Sequence, residues 1–161
     1  MKSAQDWINQ LALEAHPEGG YYKRIYASSA TISTASGERP LATSIHYLLE
    51  QNDFSAWHRI KSNELWYFHS GGQLKIHMIH ATGSLETIIL GEEQLMAAVP
   101  AGVWFCAEPA FASIHDQYTL VSCVVTPGFD FEDFEMGDAE DLVTVYPQHR
   151  DIICRLCRGN T

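Results

Sequence analysis

Two hydrophobic rhythms divide the chain. Near its start Trp7, Ile8, Leu11 and Ala15 fall three or four residues apart, the period of one helical face. Ser3 followed by Asp6 has the spacing of a capping box, with aspartate in place of glutamate. A helix is therefore predicted from about Ser3 to Ala15. His16-Pro17-Glu18-Gly19-Gly20 stops it through proline restriction and glycine freedom. Beyond that point the pattern shortens to alternation. Tyr21–Tyr26 reads as a strand, and Ala27–Pro40, rich in Ser, Thr and Ala, reads as a surface loop, either a plain connection or a lid.

From Leu41 onward, short β-like runs alternate with turns: Leu41–Leu49, Phe54–Ile60, Glu64–His69, Gln73–His80, Leu85–Leu90, Gln94–Val99, Val103–Glu108 and Thr119–Thr126. Glycine, proline and asparagine punctuate them at 51–53, 71–72, 82–83, 91, 100–102 and 127–128. Short strands with frequent turns point to a sandwich or barrel. No long helical pattern lies between them, which argues against a parallel α/β sheet. Phe129, Phe131, Phe134 and Met136 interleave with Asp130, Glu132, Asp133 and Glu135. This predicts a bulged edge strand whose acids solvate and protect the edge. Pro147–Cys157 reads as a short terminal helix with Ile152, Ile153 and Leu156 turned inward.

The length of 161 residues suits one domain over 1–161. Twenty acidic against ten basic residues give a net charge of −10, which argues against a nucleic-acid partner. No apolar run approaches a membrane span, and the N-terminus lacks a secretory core, so no membrane partner and a cytoplasmic location are expected. Cys106 and Cys123 sit in apolar runs as buried thiols; Cys154 and Cys157 form an isolated C-x-x-C, read as structural.

The informative chemistry lies at 57–71. On one strand His58 and Ile60 share a face, and after a turn at 61–63 Glu64, Trp66 and Phe68 share a face of the next. If both faces are inner, His58 and Glu64 meet as a proton-sharing pair in a cavity lined by Trp66, Phe68 and Phe105. His46 joins them only if residues 51–53 form a hairpin loop that sets it opposite His58; a one-residue slip sends it outward. His77 and His80 point to opposite faces. Lys23 and Arg24 do too, which leaves two readings: one of them enters the interior, or both are surface charges.

His58, Glu64 and Gly71 are in register with the first cupin motif, His-x-His, three or four residues, Glu, six residues, Gly, which this stretch resembles. Pro100 and Gly102 resemble the start of the second, Pro-x-Gly-x-x-His. HPEGGYYKRIY at 16–26, VPAGVW at 99–104 and TPGFDFEDFEM at 126–136 are together similar to the cupin-5 family of bacterial proteins. The resemblance implies a mainly all-β fold, a double-stranded β-helix or jelly roll, with a short helix at each end. It also implies a homodimer, with the N-terminal helix and Tyr21–Tyr26 at the interface. Where cupins supply two further metal ligands, this chain has Ile60 and Phe105. No cofactor is therefore expected, or at most a weak divalent metal on His58, Glu64 and His46.

Two classes of function follow from the residues. One is a small-molecule enzyme of isomerase or epimerase type, with His58 and Glu64 as acid and base toward a polar or sugar-like metabolite. The other is a non-catalytic ligand-binding module, or a dimeric scaffold with a degenerate metal site.

Overall fold

The computed structural model describes residues 1–110 and 117–159. Helix α1 (Ala4–Leu11) is closed by the expected box: Asp6 N–H donates to Ser3 Oγ at 3.2 Å, and Ser3 N–H to Asp6 Oδ2 at 2.8 Å. It ends earlier than its periodicity predicts. Ala12 turns left-handed at φ 51°, and Glu14–Ala15 becomes strand β1, paired to β2 (Tyr21–Ala27). The two-residue pairing with β2 satisfies backbone groups that another helical turn would leave at a frayed end.

Residues 27–40 carry a hairpin, β3 (Thr31–Thr34) and β4 (Gly37–Pro40), where the composition predicts only loop. Eight further strands follow close to their predicted places: β5 (Thr43–Glu50), β6 (Ser55–Arg59), β7 (Asn63–Gly71), β8 (Leu74–Ile79), β9 (Leu85–Leu90), β10 (Met96–Val99), β11 (Trp104–Pro109) and β12 (Tyr118–Thr126). One six-stranded sheet runs β1-β2-β5-β12-β7-β10. The facing five-stranded sheet runs β13-β6-β11-β8-β9, where β13 is Glu135–Met136. All strand pairs are antiparallel, and sequence neighbours such as β5 and β6 lie in different sheets. This is the mainly-β jelly-roll architecture.

The inner faces of the two sheets meet in a core of Tyr47, Leu49, Trp66, Ile76, Met78, Phe105, Val121 and Cys123, all at most 1 % exposed. Alternation along β5 sends Tyr47 and Leu49 inward and Leu48 outward, where Ala4 of α1 and Leu13 just after it cover it. Outside the other sheet, Trp57, Ile79 and Cys106 are covered by Leu142, Ile153 and Leu156. These come from α2 (Ala139–Val145), which the hydrophobic pattern does not announce, and from the segment around α3 (Arg150–Arg155), which it does. Cys154 is exposed, Cys157 is half-buried, and the four cysteines are free thiols.

The predicted edge strand at 129–136 is instead a single 3-10 turn, Phe131–Asp133, followed by the two residues of β13 on β6. Its acids are not all solvating. Asp133 is buried and accepts from Arg39 Nε at 2.9 Å, while Glu132 meets the same guanidinium at 3.2 Å. The β3–β4 hairpin is thereby tied to the 129–134 segment. No helix among the described residues is long and apolar enough to cross a membrane.

Candidate functional site

The site begins in the turn after β1. Its backbone folds on itself: His16 N–H donates to Gly20 O, and Gly19 N–H to His16 O. Both glycines are left-handed, at φ +109° and +75°, a region that costs a side-chain-bearing residue about 1–2 kcal/mol. Close contact makes glycine obligatory as well. A Cβ on Gly19 would lie 2.0 Å from the Phe54 carbonyl oxygen, and one on Gly20 2.8 Å from the Leu48 oxygen. The turn is bolted to the start of β6 by Ala56 N–H on Glu18 O (2.8 Å) and to Asp53 by Gly20 N–H (2.7 Å). Tyr47 Oη–H donates to Gly19 O at 2.6 Å. The result is that Glu18 points into the barrel and is 6 % exposed.

One of these bolts comes from the far end of the chain. Arg158 Nη2 donates to Asp53 Oδ1 and to the Phe54 carbonyl, both at 2.6 Å, and its guanidinium lies 4.0 Å over the Phe54 ring. Arg158→Ala is expected to lower stability by about 1–2 kcal/mol, because a half-exposed ion pair contributes little and the freed carbonyl somewhat more. The same variant should move the His58 imidazole titration down, as Glu18 loses its fixed position. Urea unfolding and histidine NMR titration read the two effects separately.

His58, on the inner face of β6, is 2 % exposed. Its Nδ1–H donates to Ala56 O at 2.7 Å, and Nε2 lies 2.9 Å from Glu18 Oε2. A carbonyl oxygen only accepts, so Nδ1 carries a proton. Burial works against the charge on both partners, but their mutual attraction outweighs it. The Glu18 carboxyl falls below its ordinary range and the His58 imidazole rises above its own. Both shifts favour the imidazolium–carboxylate form of the pair. Phe105, the cross-strand neighbour of His58 on β11, backs the ring at 4.1 Å between centroids, and Phe134 stacks on it at 5.4 Å.

Glu64 reaches the same space from the opposite sheet, at its register position between Val99 and Val125. Burial first, and then the charge of Glu18, raise its carboxyl to about 7; His58 and the Cys123 thiol offset part of this. The two carboxyls are therefore pushed in opposite directions on either side of His58. His16 completes the rim; burial lowers its pKa, and its Nδ1 accepts from Glu18 N–H at 3.1 Å.

Above this floor opens a cavity of about 370 Å³, the scale of a small ligand site. Glu18, His58 and Glu64 lie at its base, and Thr43, Ile45, Ile60 and Val125 form walls. Tyr22, Arg24, Phe129, Phe131 and Phe134 also line it. The hairpin of residues 31–40 borders the site indirectly, by anchoring the phenylalanine segment through Arg39 and Asp133.

The sequence-derived residues distribute unevenly over this geometry. His58 and Glu64 both line the cavity, but the ion-pair partner of His58 is Glu18, not Glu64. Trp66 and Phe105 are fully buried and support the floor without lining the cavity, and Phe68 packs on the same core. Trp66 stands edge-on to Tyr47 and to Phe105. His46 is outside altogether. β5 pairs with β2 and β12 rather than β6, so the hairpin that would set it opposite His58 does not form. It faces Ser122 (3.2 Å) and His69 on the outer side of the six-stranded sheet. Lys23, its register partner, is outside with it, and Arg24, opposite Ile45, lines the cavity. Glu18, His16, Tyr22 and the three phenylalanines are absent from the sequence-derived set. Two signals pointed to them: an acid set between Pro17 and two glycines, and phenylalanines alternating in a run too acidic to be core.

A cupin metal would need donors at the positions of Ile60 and Phe105, which have no lone pairs to offer. Both His58 nitrogens are engaged, by Ala56 O and Glu18, and His46 is on the wrong face. Among the described residues no group of three His, Cys, Asp or Glu side chains converges to hold a metal ion. This donor set does not fit a divalent ion.

Proteins of known structure share this architecture. Over 98 % of its length the chain superposes on all of a hypothetical protein from Leishmania major, at TM-score 0.92 and 31 % identity. It superposes with 99 % coverage on all of a Shewanella oneidensis protein, at TM-score 0.90 and 38 % identity. An uncharacterised protein of Saccharomyces cerevisiae is 28 % identical over 155 residues, covering 86 % of this chain and 77 % of the yeast protein. Residues 5–137 match the family model described as Cupin superfamily (DUF985), and the chain belongs to that family.

Proposed function

We propose that this protein binds a small polar metabolite in the cavity and moves a proton on it, as an isomerase or epimerase does, without a metal. The observation that carries this reading is the convergence of Glu18, His58 and Glu64 at the base of one cavity, with Glu18 2.9 Å from His58 and Glu64 pushed up to about 7 by burial and the charge of Glu18. Pushing neighbouring carboxyls apart in this way assigns them acid and base roles at neutral pH. Glu64, which titrates near 7, is the group that exchanges a proton with the ligand. The Glu18–His58 pair supplies a fixed dipole that steadies charge developing on it. A non-catalytic binding module is the second reading, favoured by the full engagement of both His58 nitrogens within the protein. A cytoplasmic homodimer is part of the proposal, with the exposed Ile25 and Tyr26 of β2 as its contact surface.

Solvent exchange tests the catalytic reading. A panel of ketoses and 2-oxo acids in deuterium oxide is followed by proton NMR for loss of the C–H signal beside the carbonyl. Exchange in the parent, reduced about a hundredfold in Glu64→Gln and His58→Asn, is the expected result. Ligand binding without exchange selects the binding module. Exchange at parental rates in both variants removes Glu64 and His58 from the chemistry.

A further inference from the structure

We infer that the cavity takes an organic anion, a carboxylate or a phosphate monoester, whose charged group is held by Arg24 while its apolar body lies on Phe129 and Phe131. The inference rests on the cavity being a ligand site, as proposed above, and adds the chemical class of the ligand.

Arg24 is the arginine of the lining, in a chain with twice as many acids as bases; His58, the other cationic group there, is already paired with Glu18. Arg39, Arg59, Arg155 and Arg158 each hold a carboxylate, and Arg150 stands outside the cavity lining. Among the described residues Arg24 holds none; its Nη2 donates to the carbonyl oxygen of Phe129 at 2.8 Å. The β2–β5 register, Arg24 opposite Ile45, brings the side chain to the cavity side, and the bond to Phe129 fixes the guanidinium against the phenylalanine segment. A guanidinium has five N–H donors in a planar fork that matches carboxylate and phosphate oxygens.

The acids of the lining are already committed. Glu18 is paired with His58. Glu64 accepts from the Cys123 thiol and sits at the floor. Asp130, beside Arg24 in the lining, turns its Oδ1 to the Glu132 N–H at 2.9 Å as the cap of the 3-10 turn. Asp130 is thus oriented by a backbone N–H and keeps its charge, while Phe129 uses only part of the Arg24 fork; the remaining guanidinium donors are the groups of the wall that can hold an anion from outside the chain.

The aromatic segment sets the rest of the ligand. Phe129 and Phe131 meet edge to face at 4.9 Å, and Phe131 is 49 % exposed although it lines the cavity. An exposed phenylalanine beside a guanidinium that holds no carboxylate among the described residues suits a molecule with an apolar or planar body and one anionic end. Its other end then reaches Glu64 and Glu18, which favour a hydroxyl or carbonyl group there.

The test compares three probes by titration calorimetry: 4-hydroxyphenylacetate, phenyl phosphate and the neutral 4-hydroxyphenylacetamide. With the parent protein, at least one anion is expected to bind about tenfold or more tighter than the amide. Which anion binds tighter separates the carboxylate from the phosphate source. Arg24→Gln is expected to bring the anion to the amide's level, and Arg24→Lys to retain part of the preference, since charge remains and the fork is lost. Equal binding of all three probes to the parent overturns the inference and leaves the cavity reading intact. A preference that survives in Arg24→Gln also overturns it. If none of the three binds up to millimolar concentration, the inference and the ligand-site reading fall together.

Discussion

Gly19→Ala is expected to cost about 4 kcal/mol or more, the exceptional end of single substitutions. For a chain this size that is a drop in thermal midpoint of about 10 °C. Left-handed backbone alone does not account for the figure, since it costs an alanine about 1–2 kcal/mol. The remainder comes from contact: the added Cβ would stand 2.0 Å from Phe54 O and 2.1 Å from the Arg158 guanidinium. Neither neighbour yields cheaply, because the first is backbone and the second is bound to Asp53. The turn must then retreat from β6, and with it goes Glu18. Gly102 is the control. It too is left-handed, at φ +76°, but a Cβ there meets nothing within 4 Å, so Gly102→Ala should lose only the backbone cost. If thermal melts show equal losses for the two variants, the turn is not braced as described, and Glu18 is held by some other means.

The same turn shows why half of the site was hidden in the sequence. Strand alternation is local, so 57–71 alone sufficed to put His58 and Glu64 on inner faces. Their positions survive in the structure because each needs only its own strand's parity. Glu18 needs a partner forty residues away and a turn bolted by Asp53, Tyr47 and Arg158. None of these contacts leaves a periodic trace, and Pro and Gly around an acid read simply as a helix stop. His46 failed for the opposite reason. Its placement assumed that β5 and β6 pair because they are adjacent in sequence, whereas the jelly roll sends them to different sheets. Lys23 and Arg24 illustrate what parity leaves open: it puts them on opposite faces, but only the β2–β5 register decides which face is inside. The phenylalanine segment at 129–134 was misjudged because its acids look like edge protection. Asp133 is in fact buried against Arg39, which lies 94 residues earlier in the chain.

Glu64→Gln is expected to stabilise the protein above neutrality and to leave it unchanged in mild acid. The sign follows from where the protons sit. The Glu64 carboxyl titrates at about 7 in the folded protein against an ordinary value of 4.5. Between those limits the folded state binds more protons than the unfolded one, so stability falls as pH rises. A displacement of this size corresponds to about 3 kcal/mol, fully developed by about pH 8. Its causes are burial and the fixed charge of Glu18, which disfavour a second carboxylate in the same space. Glutamine keeps the shape and carries no charge, so it removes this pH-dependent cost. The Glu18–His58 pair adds two further edges. The raised His58 pKa contributes stability below its ordinary 6.5 that is lost as pH climbs through the folded value. The lowered Glu18 pKa contributes stability above its ordinary 4.5 that is lost as pH falls through its own. These two remain in the variant, so its stability should peak between about 4.5 and 6.5 and decline less steeply above that than the parent's. Urea unfolding of both proteins across this range measures the difference directly. Curves that run parallel from acid to base would mean that Glu64 is ionised at its ordinary pH, and the proton assigned to it in the cavity would have to be sought on another group.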